Sequence, residues 1–159
     1  MSISSQRNIA ELLAGADEGA LDPATITAGA GNDAVAVAGN IIDRQKSGRG
    51  YALSAALFLQ YKAVLAATKT LTVTVLVKGS SDSGMASPTT LVSYPATVVS
   101  TGGTGGSTNH GILKIAVDLS SADRYLQATV TQDLSATATD TVLTTGLLVF
   151  GGQDELPAV

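Results

Sequence analysis

The sequence predicts an all-β protein: an antiparallel, jelly-roll-like β-sandwich preceded by a short N-terminal helix or arm. Three observations predict this. Apolar and polar residues alternate with period two in several segments, as half-buried strands require. Clusters of Gly, Asn, Asp and Ser punctuate those segments at turn spacing. The core-forming residues are Val, Leu, Ile and Ala, with two Phe, four Tyr and no Trp among 159 residues, a composition suited to close packing of short elements rather than to a wide aromatic cavity. The expected division is an arm or short helix over residues 1–22, a sandwich over 23–152 and a tail over 153–159.

Taken in order, Ile9, Leu12 and Leu13 have the i, i+3, i+4 spacing of one helix face, with Ser4 or Ser5 placed to cap it. Beyond Pro23 the chain turns to Thr and Val, and strands are expected to begin there, with Gly29, Gly31, Gly39 and Asn40 as turn signals around the stretch 34–38. Residues 51–67 fit two templates: Leu53, Leu57, Tyr61 and Leu65 suit a helix, whereas Leu53, Ala55, Leu57, Leu59 and Tyr61 suit an alternating strand. The strand is preferred over 52–62 because a strong strand follows and 65–69 has the length of a hairpin connection. That next strand, 70–78, sets Leu71, Val73, Val75 and Val77 against Thr72, Thr74 and Lys78. Residues 112–119 alternate Leu113, Ile115, Val117 and Leu119 against Lys114, Ala116 and Asp118. Residues 125–132 turn Leu126, Ala128 and Val130 inward and Gln127, Thr129 and Thr131 outward. The last strand, 142–150, is apolar on both faces from Leu147 to Phe150, so cover on both sides is expected there.

Composition narrows the function classes. A 45% hydrophobic chain has enough apolar surface to offset the entropy of ordering its backbone. A formal net charge of −4 gives no overall field for a polyphosphate backbone, so direct nucleic-acid binding is not expected. No apolar run reaches the length of a membrane span, and residues 1–8 lack the apolar core of a secretory leader, so a soluble protein made in the cytoplasm is expected. With no Cys, neither disulfides nor thiolate chemistry is available.

The motifs that touch on chemistry each have a plainer reading. Residues 101–111, TGGTGGSTNHG, lack the Lys and the following helix of a phosphate loop, and read as a surface loop. Gly29-Ala30-Gly31-Asn32-Asp33-Ala34 matches a dinucleotide pattern, but Val35-Ala36-Val37 follows it as a strand. One copy of a Gly-Asp nonapeptide supplies too few oxygens for calcium, which leaves an Asn-Asp turn. His110, the one imidazole, falls in the Gly-rich stretch, where a catalytic rotamer would not be held. Asp17-Glu18 and Asp154-Glu155 are adjacent pairs that do not share a strand face. No catalytic residue, metal ligand or cofactor is expected. Arg44, Lys46 and Arg49 form the local basic cluster, on the loop 43–50, and read either as a solubilising loop or as a contact for an acidic surface.

The segments Arg124-Tyr125-Leu126-Gln127-Ala128-Thr129-Val130-Thr131, Asp133-Leu134-Ser135-Ala136-Thr137 and Leu147-Leu148-Val149-Phe150-Gly151-Gly152 resemble the jelly-roll type of capsid cement, or decoration, proteins of tailed bacteriophages. Leu57-Phe58-Leu59-Gln60-Tyr61-Lys62 and Leu71-Thr72-Val73-Thr74-Val75 are similar too, and the likeness covers most of 25–152. It implies a non-enzymatic virion protein on the outer capsid surface that bridges neighbouring major capsid protein subunits and forms a symmetric homo-oligomer, a dimer in preference to a trimer. The expected contacts are Ile9, Leu12 and Leu13 on the arm and Arg44, Lys46 and Arg49 on the loop. The alternatives are a phage tail or baseplate component and a carbohydrate-binding, adhesin-like module, whose aromatic platform would have to come from Tyr51, Tyr61, Tyr94 and Tyr125.

Overall fold

A computed structural model describes residues 14–15, 19–45 and 52–152. Nine antiparallel strands are found among them and no helix. They are β1 (Ala14–Gly15), β2 (Leu21–Thr27), β3 (Ala36–Asp43), β4 (Ser54–Leu65), β5 (Thr70–Ser80), β6 (Thr89–Thr101), β7 (Ser107–Asp118), β8 (Tyr125–Leu134) and β9 (Thr141–Gly151). One sheet runs β9-β4-β7, with β1 and β2 lying end to end along the free side of β9; the other runs β3-β8-β5-β6. Successive strands from β2 to β5 and from β6 to β9 therefore alternate between sheets, and β5–β6 is the one pair of consecutive strands hydrogen-bonded as a hairpin. This is the jelly-roll sandwich that the alternating pattern predicts.

The core lies between the sheets and follows the period-two pattern. Leu71, Val73, Val75 and Val77 of β5 and Leu126, Ala128 and Val130 of β8 face Leu57, Leu59, Val142, Leu148 and Phe150 from the opposite sheet. The inward set on β7, Ile115 and Val117, also falls where alternation puts it.

Several expectations change. Strand structure starts before Pro23: β2 begins at Leu21, and Ala14 and Gly15 pair with Phe150 and Val149. The expected N-terminal helix otherwise lies outside the described residues. Residues 54–65 form a strand, as preferred, but 65–69 is not a hairpin connection, because β4 and β5 belong to different sheets and the turn arches over the core. Alternation fixes which face of a strand is buried; it does not say which strand pairs with it. Finally, β9 is covered on one side only: its outward Leu143 and Leu147 are exposed.

Candidate interaction surface

The outer face of the β9-β4-β7 sheet carries the largest departure from the polar exterior expected of an antiparallel sandwich. Register fixes its rows. Leu147, Phe58 and Lys114 lie side by side across the three strands; the next row holds Thr145, Gln60 and Ile112, and the next Leu143, Lys62 and His110. Val149, Ala56 and Ala116 form the row on the other side of Phe58. Ile112 is 61% exposed and Leu147 44%, with Leu143 and Val64 similarly open. Exposed aliphatics grouped on one sheet face in this way, rather than scattered singly, make it a candidate association surface.

Its charges are placed by the same strands. Lys62 and Lys114 point outward from β4 and β7, and the Lys114 ammonium sits 5.9 Å from the Phe58 ring centroid, where the ring face attracts a cation. Asp118 terminates the face beside Ser54. Its carboxyl is held below the ordinary Asp value, first by the Ser120 backbone N–H, which donates to Oδ1 at 2.9 Å, and then by the Ser120 side chain. A shallow hollow of about 650 Å³ opens on this face, lined by Pro23, Lys62, His110, Ile112 and Leu143 among others. A chain of net negative charge thus presents a basic, apolar sheet face.

The residues expected at the interface fare differently. Ile9, Leu12, Leu13, Lys46 and Arg49 lie outside the described residues. Arg44 is not a surface cation: it is 1% exposed, its Nη1 donates to the Leu119 carbonyl at 2.8 Å and its backbone N–H to the Arg124 carbonyl. Its long apolar stem is packed at one end of the sandwich, so it is part of the interior rather than a contact for an acidic partner. The exposed arginine nearby is Arg124, paired through Nε and Nη2 with both oxygens of Asp43 at 3.0 and 2.7 Å and lying over the Tyr125 ring.

His110 is on strand β7, opposite Lys62, and not in the Gly-rich loop, because pairing with β4 starts at Ser107. Asp33 is a turn residue as expected: its two oxygens accept the backbone N–H groups of Gly29 and Leu134 at 2.8 and 3.0 Å. Among the described residues no group of three or more His, Asp or Glu is close enough to hold a metal. Of the described tyrosines, Tyr61 and Tyr94 pack against the core and Tyr125 lies under Arg124, so these three form no sugar platform; Tyr51 lies outside the described residues. The sequence signal for the outer face was present in the doubly apolar stretch of β9, where it read as cover on both sides.

No protein-family model matches the chain, and no curated protein does. Solved structures do. The fold is similar to a chain in the structure of the infectious bursal disease virus Gx strain, with a TM-score of 0.50 and 13% identity over 92% of this chain. A chain in the structure of the Gt strain of that virus gives 0.45 and 12% over 92%. This protein spans about a third of the length of those chains, 34% and 35%. What is shared at this identity is the jelly-roll sandwich.

Proposed function

We propose that this is a non-enzymatic virion structural protein that seats on the outer surface of an icosahedral bacteriophage capsid and bridges neighbouring major capsid protein subunits, using the outer face of the β9-β4-β7 sheet. The observation that carries the reading is the outer sheet face of a jelly-roll sandwich, where exposed Ile112, Leu143, Leu147 and Val64 stand among Lys62 and Lys114. The likeness to a chain from a virus structure supports a virion role, and the resemblance of β8 and β9 to cement proteins supports the finer one.

Binding to the assembled shell and not to its separated subunits stabilises the shell by mass action. Each half-exposed aliphatic withdrawn from water contributes on the order of 1 kcal/mol, and Lys62 and Lys114 favour an acidic partner surface. A symmetric homo-oligomer, a dimer in preference to a trimer, engages several subunits at once, so each later contact is effectively intramolecular.

The test is to mix the purified protein with expanded and unexpanded capsids of its own phage and to image the particles. Saturable density at symmetric positions on expanded shells is expected, lost in an Ile112→Thr/Leu147→Thr variant. Absence of binding to either shell would remove the proposal. Deleting residues 1–13, which leaves β1 in place, separately tests the N-terminal contact.

A further inference from the structure

We propose a second site, independent of the capsid reading: a cleft between β2 and β3 that binds a small, uncharged aliphatic molecule bearing a carbonyl oxygen. It is a cavity of about 350 Å³, within the range of small-ligand sites. Its walls are Leu21, Ile26, Val37 and Val130, and its floor is Gln132 and Thr144.

Two independent observations point to an occupant. Gln132 and Thr144 occupy inward-facing positions on opposite sheets, 7% and 5% exposed, and the Thr144 hydroxyl donates to Gln132 Oε1 at 2.9 Å. That bond fixes the amide and leaves Gln132 Nε2 without a protein acceptor among the described residues, facing the cleft. Gln132 Nε2 is not sealed off by protein: it reaches the open cleft and presents its N–H there, where an acceptor oxygen can pair with it. Meanwhile Val37 is paired with Val130 and shares its inward face, yet Val37 is 40% exposed while Val130 is buried. A core position is open because β2 and β3 diverge over it.

The ends of the cleft decide the size of the ligand. At one end the sheets are stitched together: the Asn40 N–H donates to the Ala20 carbonyl at 3.1 Å, and Gly39 passes so close to that carbonyl that any Cβ would collide with it. At the other, the turn after β2 returns, with Asn32 Nδ2 donating to the Thr25 carbonyl at 3.2 Å. An extended peptide has no way through, so the occupant is compact. Asp22 at the mouth disfavours an anion.

The test uses the isolated protein and N-acetyl-leucinamide as probe, followed by backbone amide NMR. Saturable shifts at Val37, Val130, Gln132 and Thr144 are expected, with N-acetyl-glycinamide producing none. The Gln132→Leu/Thr144→Val variant, which removes both members of the polar pair, is expected to bind about tenfold more weakly. Val37→Phe, which fills the mouth from an exposed position, is expected to abolish binding and carries the test if the double variant does not fold. No saturable shift, equal response to the glycine control, or binding that survives Val37→Phe would overturn the site.

Discussion

The Tyr61 hydroxyl donates to the Val99 carbonyl at 2.8 Å, tying β4 of one sheet to β6 of the other. Val99 is available because β6 bulges there: Leu71 pairs with Ser100 and Thr72 with Val98, and Val99 is skipped. To reach it the Tyr61 ring crosses its own register partner on β7, Gly111, where any Cβ would run into the ring. Tyr61→Phe is therefore expected to lower unfolding free energy by about 1 kcal/mol, the net worth of a hydrogen bond. Gly111→Ala should cost more, about 1–3 kcal/mol, since the ring must move. Urea denaturation of the two variants checks the order; an Ala variant no weaker than the Phe variant would contradict the packing.

Asp140, 3% exposed and just before β9, holds the arch between β4 and β5: the Ala66 N–H donates to its two oxygens at 3.0 and 3.1 Å, while its own carbonyl accepts from the Ala28 N–H. Asp140→Ala removes the carboxylate that accepts from the Ala66 N–H and is expected to cost about 1–3 kcal/mol, the worth of a hydrogen bond to a charged group. Asp140→Asn keeps an acceptor oxygen in place and should cost less. Equal stability of Asp140→Ala and the parent in chemical denaturation would show that the arch is held by other means.

The lowered pKa of Asp118 has a defined pH consequence. A carboxyl whose folded pKa lies below its unfolded value contributes stability that is fully present above that unfolded value, near 3.8, and is lost as pH falls through the folded one. Carboxyl NMR should give Asp118 a midpoint below the ordinary Asp value. Ser120→Ala should raise it only part of the way, because the backbone N–H is the larger cause and remains. A midpoint at or above 3.8 in the parent protein would refute this.

What the sequence made legible was the burial of each regular strand. Over 71–77 on β5 and 126–130 on β8 every second residue is aliphatic, and the period-two geometry leaves those residues one place to go. β6 escaped notice because Pro95 and three register shifts break its alternation, as is common on an edge strand. The alternation of strands between sheets was hidden for another reason: arches and hairpins of similar length look alike in sequence, and only the whole set of pairings distinguishes them. Gln132 and Thr144 were hidden because a polar residue at a core position looks like a strand end until its partner from the other sheet is known. Arg44 read as surface because its charge was weighed without its stem.

Leu147 and Leu148 are neighbours on β9 with opposite tasks, and their difference supplies the sharpest comparison. Leu148 is 2% exposed in the core, so Leu148→Ala is expected to cost about 2–5 kcal/mol by loss of burial and creation of a cavity. Leu147 faces outward beside Phe58, and Leu147→Thr keeps a strand-forming residue while removing apolar surface. Together with Ile112→Thr it should change stability by no more than about 1 kcal/mol, as surface changes do. If the outer face is the docking surface, the same pair should weaken association about 30-fold per engaged face, from roughly 1 kcal/mol at each position. Thermal unfolding and capsid pelleting, run on the same samples, separate the two effects. Loss of stability without loss of association would mean that this face belongs to the fold alone.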